Sequence, residues 1–287
     1  MTADLRVSIG MPVYNGEKWL PATIRSVLAQ TFRDFELVIC DNASTDGTEA
    51  LCREFAARDS RVRYERNAEN IGLANNFNRA FQLTRGAYFK WMCCGDLLDP
   101  AFVERCVTVL DGRPEVVLVD PVTRLFTDDP AQGEDARDAF DLDTDDAVGR
   151  FERYTLGAKL NNIMHGLYRS EVLRRTKLYR TFLAADYNMI AELILHGRVA
   201  RLDEVLNFRR MRPETATKFL SAHEQRSMYR PKSPGRMRYQ EWRRALDYYG
   251  IAFRAPLSPS QRIRLLAFLS RRALWMRQTL FEELVHG

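Results

Sequence analysis

The first hundred residues alternate. Short apolar runs of strand character each lead into a polar loop, and then into a segment with apolar residues at helical spacing. Residues 6–12 (RVSIGMP) predict a first strand, and Leu20, Ile24, Val27 and Leu28 follow at helical spacing. Residues 35–40 (FELVIC) predict a second strand, running into the turn-rich DNASTDGT. Leu51 and Phe55 lie on one face of the next helix. RVRYER at 61–66 predicts a third strand, and NAENIG leads into a helix with Leu73, Phe77, Ala80 and Phe81 inward, ended by Gly86. The apolar AYFKWM then predicts a strand that stops at an acidic turn. Strands alternating with helices of about 10–15 residues form mainly parallel α/β sheets.

The later half is less regular. A helix is predicted over 101–110, and a strand over 115–126 that bends or breaks at Pro121. Residues 127–147 hold nine acids and one arginine, which predicts a mobile surface loop. Strand character returns over 162–169, then a short helix (SEVLRRT) capped by Ser170. Residues 187–198 predict an amphipathic helix ended at Gly197, with Asp186 at its N-terminal edge. Two short strands, 199–202 and 205–211, close the core, and Pro213 opens the boundary to a tail. The expected division is a domain over 1–215, in two halves (1–100 and 101–215), and a helical extension over 216–287.

Composition narrows the class. Apolar content of 46% with 28% charged residues is that of a water-soluble globular chain. No apolar run approaches the roughly 18 residues of a membrane span. The polar N-terminus is too short to be read as a signal peptide. Five cysteines without paired spacing read as reduced thiols, and the expectation is a cytoplasmic protein. The net charge of +5 is uneven, because residues 224–287 carry thirteen Lys+Arg against five Asp+Glu. Within 258–285, Arg262, Arg264, Arg271, Arg272 and Arg277 are interspersed with Leu, Phe and Trp. That pattern suits either a helix lying at the inner face of a membrane or one packed on the body. No nucleic-acid partner is expected.

Three loops leave consecutive strand ends: MPVYNGE, DNASTDGTE and RNAENIG. Ligands of open α/β sheets bind beyond the carboxyl ends of the strands, so these loops and the turn at Asp96 and Asp99 would face one crevice. The sequence has neither GxGxxG nor a P-loop. The density of Asp, Asn and Ser suits hydrogen bonding to a base and a ribose. Plain structural roles stand beside these: Asp96 or Asp46 as a helix cap, Glu17 as support for a helix N-terminus, His165 as a core histidine, and Cys93–Cys94 as buried thiols.

The order PVYNGE, a strand into DNASTDGT, NxG, and a strand into an acidic turn ending LLDP resembles family-2 glycosyltransferases of the GT-A fold. The resemblance spans roughly residues 5–212, with HGLYRSEVL, AAD, a helix ending HGR, and NFRR downstream. It implies a GT-A-like, mainly parallel sheet flanked by helices, and position-specific roles. Pro12, Val13, Tyr14 and Glu17 would frame the nucleotide. Asp41 would bind the base, with Ser44 and Asp46 shaping its loop. Asn70 and Gly72 would let backbone approach the nucleotide. Asp96 would bind the diphosphate and a divalent metal, Mg²⁺ or Mn²⁺. Asp186 would be the general base.

Two departures matter. Where the family often has DADD, this chain has Cys93, Cys94, Gly95 and Asp96, so one carboxylate remains and the metal is weakly specified. Arg212 stands where a histidine is common and could neutralise diphosphate itself. The resemblance therefore implies an inverting transferase moving a sugar from a nucleoside-diphosphate donor, UDP or dTDP, to a hydroxyl acceptor in bacterial glycan or glycoconjugate assembly. A sugar-1-phosphate nucleotidyltransferase and an inactive sugar-nucleotide-binding protein are the alternatives.

Overall fold

The computed structural model describes residues 5–136, 140–212, 220–229, 231–232 and 238–286. The predicted alternation is present. Strands β1 (Val7–Val13), β2 (Phe35–Asp41), β3 (Val62–Arg66) and β4 (Tyr88–Trp91) are separated by helices α1 (Leu20–Leu28), α2 (Thr48–Arg58) and α3 (Leu73–Gln82). β1 pairs in parallel with both β2 and β4, and β2 pairs in parallel with β3. Central strands of a parallel sheet are covered on both faces, and all seven residues of β1 are buried accordingly.

The chain continues through β5 (Leu97–Leu98), α4 (Phe102–Gly112), β6 (Val116–Phe126), β7 (Glu134–Ala136), α5 (Ala147–Gly157), β8 (Leu167–Arg169), α6 (Ser170–Leu173), α7 (Ala185–Leu193) and β9 (Arg198–Arg210). Sheet order is β3-β2-β1-β4-β8-β6-β9-β5, with β7 on β6. β8 is antiparallel to both β4 and β6, and β6 is parallel to β9. The two reversals cancel. β6 and β9 therefore run in the same direction as β1, β2 and β4, and all of their carboxyl ends reach one edge of the sheet.

Two apolar cores lie on the two faces. One holds Leu20, Ile24, Phe102, Cys106 and the β1–β2 side chains beneath α1 and α4. The other centres on Trp91, which lies 4.8–6.4 Å, ring centre to ring centre, from Phe77, Phe81, Phe89, Tyr168 and Tyr179. Helices α8 (Ala222–Tyr229), α9 (Gln240–Arg254), α10 (Pro259–Trp275) and α11 (Arg277–His286) follow. Tyr248 and Ile251 of α9, and Leu265 and Phe268 of α10, join this second core beside α5 and α7. The expected boundary at 215 falls outside the described residues. No helix among the described residues is long and apolar enough to cross a membrane.

Several local expectations are corrected. Residues 127–147 are anchored where described: β7 pairs with β6, Phe140 and Leu142 enter the core, and Asp143 makes a two-point ion pair with Arg113 at 2.7 and 2.8 Å. Asp128, Asp135, Asp143, Asp145 and Asp146 of this segment pair with arginines. The two strands expected over 199–211 are one strand, β9. Its register against β6 passes from Leu202 opposite Pro121 to Val205 opposite Val122, so Asp203 and Glu204 form a bulge where proline breaks the ladder.

Residues Asn162–His165 form a buried 3₁₀ turn, and only Leu167–Arg169 is strand. Ser170 is the first residue of α6 and makes no capping bond; its buried hydroxyl has no partner. Helix α7 ends at Leu193 and is buried on most sides rather than amphipathic, because α5 and α9 pack against it.

Candidate active site

The first two loops are stitched together by their own polar groups. The Asn15 amide donates to Ser44 Oγ at 2.9 Å, Gly16 to Thr48 Oγ1 at 2.8 Å, and Glu17 to Asp46 Oδ2 at 3.1 Å. In return the Gly47 amide donates to Glu17 Oε2 at 2.9 Å. Gly47 is the residue from which α2 starts, so Glu17 supports a helix N-terminus as the plain reading held. Asp46 also accepts from the Thr48 amide at 3.1 Å. Tyr14 projects from this frame, 49% exposed, whereas Pro12 and Val13 are buried at the end of β1.

Asp41 ends β2 and is wholly buried. Its Oδ1 accepts from the Ser44 amide (2.9 Å) and hydroxyl (2.6 Å), and Oδ2 accepts from the Tyr64 hydroxyl at 2.7 Å. Arg66 Nε lies 3.5 Å from Oδ2 as an ion-pair partner, so the buried carboxylate is held by Ser44, Tyr64 and Arg66. Asn70 accepts from Asn42 Nδ2 at 2.7 Å and from the Gly72 amide at 2.9 Å. Gly72 has φ +84°, and a Cβ there would lie 2.3 Å from the Tyr229 carbonyl oxygen. Backbone does approach Gly72 closely, and in this structure it is the end of α8 that does so.

The acidic turn is clasped from both sides. Thr23 of α1 donates its hydroxyl to the Asp96 carbonyl at 2.9 Å and accepts from the Gly95 amide at 3.0 Å. From β9, the Arg210 amide donates to Asp96 Oδ1 at 2.9 Å, and its Nε donates to the Gly95 carbonyl at 3.1 Å. The Arg210 guanidinium is sandwiched between Trp19 and Phe126, 4.2 and 4.4 Å from the ring centres. Asp96 therefore does not cap α4. Asp99 is the residue that serves the next turn, accepting from the Ala101 amide at 2.9 Å. Gly95 has φ +104°, a conformation that an L residue such as aspartate adopts only with strain.

Burial raises the Asp96 carboxyl to about 6, against the pull of Arg209 and of the Arg210 amide. Cys93, beside it, is pushed up to about 12 by burial and by the Asp96 charge. His165 Nδ1 lies 3.7 Å from Asp96 Oδ2, and its Nε2 is buried without a partner. Burial first, and then Arg209 and Lys90, hold the imidazole neutral. Lys90 is fully buried, its own pKa lowered to about 8 by burial, and it donates to the His165 carbonyl.

The ligand atoms of Cys93, Asp96 and His165 all lie within 4.8 Å of one another, a set that could hold a divalent ion. One carboxylate, one imidazole and one thiol do not suit Mg²⁺, which demands octahedral oxygen. The imidazole and the thiol suit an ion that accepts nitrogen and sulfur.

Asp186 lies in the first turn of α7 and is partly buried. The helix starts from Ala184, which is left-handed (φ 58°) and carries no capping side chain, so Asp186 is not the cap. Its Oδ2 accepts from Asn161 Nδ2 at 2.6 Å, and Asn161 Oδ1 in turn accepts from the buried Tyr154 hydroxyl at 2.6 Å. This relay fixes the carboxylate. Burial raises its pKa, countered by the Asn161 bond, by backbone amides of the helix start, and by Arg209.

Arg209 is the residue the sequence reading missed. It is fixed by the Leu160 carbonyl and Asn162 Oδ1, both at 2.9 Å. Its charge acts on Asp96, Cys93, His165 and Asp186 alike; its neighbour Arg210 holds Asp96, and its own partner Asn162 adjoins the Asn161 that holds Asp186. The expected cation, Arg212, instead pairs with Asp128 at the rim. The motif NFRR held the signal. Neighbouring strand residues point to opposite faces, so only one of Arg209 and Arg210 could face the acids, and the sequence does not say which.

The chain is similar over most of its length to S. aureus TarS 1-349 in complex with UDP-GlcNAc. That match has TM-score 0.67 and 15% identity, covering 98% of this chain and 76% of that one. It is similar also to a mannosyltransferase from Pyrobaculum calidifontis in complex with GDP-Man and Mn²⁺, with TM-score 0.58 and 17% identity, covering 99% and 75%. At such identities these show the fold, that of GT-A enzymes. In sequence it is 35% identical over 134 residues to the putative glycosyltransferase EpsE of Bacillus subtilis, covering 46% of this chain and 48% of that protein. It is 39% identical over 101 residues to chondroitin synthase of Escherichia coli, covering 35% and 15%. The chain thus spans about half or less of the length of these two relatives. The model for glycosyl transferase family 2 matches residues 8–181, more than half of the chain and inclusive of the stitched loops and the acidic turn, and the chain belongs to that family.

Proposed function

We propose that the chain is an inverting glycosyltransferase that moves a sugar from a nucleoside-diphosphate donor to a hydroxyl acceptor. The observation that carries the reading is Arg209, whose neighbour Arg210 holds Asp96 through its amide and whose guanidinium rests on Asn162, next to the Asn161 that holds Asp186. A cation there would face a leaving diphosphate, while a carboxylate of raised pKa faces the acceptor side. The acceptor oxygen would attack the anomeric carbon as the bond to the diphosphate breaks, and the hydroxyl proton would pass to Asp186. Tyr14 would cover the nucleotide. Asp41 would take the imide N–H of uracil or thymine in exchange for one of its present partners, which favours UDP or dTDP. The solved relatives with UDP-GlcNAc and with GDP-Man support a sugar nucleotide without choosing the base.

A divalent ion fits this reading as counter-charge to the diphosphate, with Cys93, Asp96 and His165 to hold it. Of the two ions expected, Mn²⁺ tolerates an imidazole better than Mg²⁺ does. Bacterial glycan or glycoconjugate assembly is the setting proposed, with peripheral membrane contact through α10 and α11.

Nucleotide release across a donor panel tests the activity. Arg209→Met should weaken UDP binding by about 1.5–3 kcal/mol, the scale of a charge-assisted bond, and leave uridine binding unchanged. Equal losses for both ligands in calorimetry would remove Arg209 from the diphosphate site.

A further inference from the structure

We infer that Cys93, Asp96 and His165 form a binding site for a zinc-class divalent cation, selective against Mg²⁺. The three side chains come from two separate parts of the fold. Cys93 and Asp96 flank the turn after β4, and His165 ends the 3₁₀ turn before β8. Their ligand atoms lie within 4.8 Å of one another, and the carboxylate–imidazole pair is already at 3.7 Å. Tetrahedral zinc, with bonds of about 2.0–2.3 Å, holds its ligand atoms about 3.5 Å apart. Closing the set therefore asks for an adjustment at Cys93, the partly exposed member.

Two further observations point to a ligand. His165 is 4% exposed, yet its Nε2 has no hydrogen-bond partner and its Nδ1 faces a carboxylate beyond hydrogen-bond distance. Nδ1 is the nitrogen that faces the set, and a metal bond to it would replace a contact too long for a hydrogen bond. The turn also lacks side-chain oxygen at the two positions before Asp96, occupied by Cys94 and Gly95, and Gly95 (φ +104°) has a backbone ill suited to aspartate. The chain offers sulfur and nitrogen where a hard-ion site needs oxygen, and softer ligand sets select zinc-class ions.

Lys90 and Arg209 act against a dication here. Binding answers them by bringing two negative ligands together. The Cys93 thiol loses its proton to solvent as its sulfur–metal bond forms, and the Asp96 carboxylate supplies the second charge.

The test needs no donor, so it stands apart from glycosyl transfer. The purified full chain is stripped with chelator and dialysed separately against Zn²⁺, Co²⁺ and Mg²⁺. Metal content is then measured after gel filtration, and the Co²⁺ form is examined by absorption spectroscopy. The expected result is one Zn²⁺ or Co²⁺ per chain, no retained Mg²⁺, and a thiolate-to-cobalt charge-transfer band. Cys93→Ser should abolish the band and weaken zinc binding at least about tenfold, with the circular-dichroism spectrum unchanged, whereas Cys94→Ser should keep the band. A wild-type chain that retains no Zn²⁺, or a cobalt spectrum without the thiolate band, would overturn the site. So would a band that survives Cys93→Ser.

Discussion

At the scale of single residues, Asp186 carries a cost to the fold that fits a working carboxylate. Its pKa is raised by burial, so the folded chain holds the proton more tightly than the unfolded chain does. The sign follows: Asp186 is without penalty at pH below its unfolded value, and the penalty grows as pH rises through the raised folded value. Asp186→Asn should therefore be at least as stable as the parent at neutral pH, with the difference vanishing in acid; thermal melts across pH would show it. A clear loss of stability at pH 7 would mean that the Asn161 bond outweighs the burial. For turnover, the parent should lose rate as pH falls through the raised pKa of this base. Asp41 makes a separate case. Asp41→Ala should weaken UDP and dTDP by about 1–3 kcal/mol in calorimetry, and unchanged affinities would limit Asp41 to ordering its loop.

At the scale of elements, α9 is tied to α7 by charge as well as by packing. Glu192 is 2% exposed and accepts from Arg254 Nε at 2.8 Å. Arg254→Leu leaves that carboxylate buried and unpaired and should cost about 3 kcal/mol in urea unfolding. A loss within experimental error would show that water reaches Glu192.

This scale also shows where the sequence could be read. The strands and helices of the first hundred residues announce themselves by period and by loop chemistry, and they formed as expected. Beyond Asp96 the signals are non-local. The acids of 127–147 read as solvated until Arg113, Arg198 and Arg264 are placed beside them. Residues 203–204 read as a break between strands until Pro121 is placed opposite as the cause of a bulge. Asp96 and Asp186 were legible through motif order. Arg209 was not, because the choice between it and Arg210 depends on which face Trp19 and Phe126 cover.

At the scale of the whole molecule, exposed large apolar side chains gather at the C-terminal end. Ile263, Leu274 and Trp275 on α10, and Phe281 on α11, are each more than 60% exposed, and the same end carries the excess of arginine. If this end meets an anionic membrane, the chain should co-sediment with phosphatidylserine vesicles at low salt and be released as salt rises. Trp275→Ser with Phe281→Ser should weaken the pelleting. Absence of pelleting at low salt would leave these helices to packing alone.

The same whole-molecule view places the carboxyl ends of β1, β2, β4, β6 and β9 on one edge, where the loops after β1 and β2 and the Asp96 turn lie. Transfer across that edge is the central claim, and turnover by Asp186→Asn tests it most directly. Nucleotide release should be measured for the parent and the variant with the donor and acceptor that the panel identifies, alongside calorimetric donor affinity. The account predicts a loss of about 100- to 10,000-fold in rate with donor affinity unchanged. Near-parental turnover by the Asn variant would contradict it and move the base elsewhere.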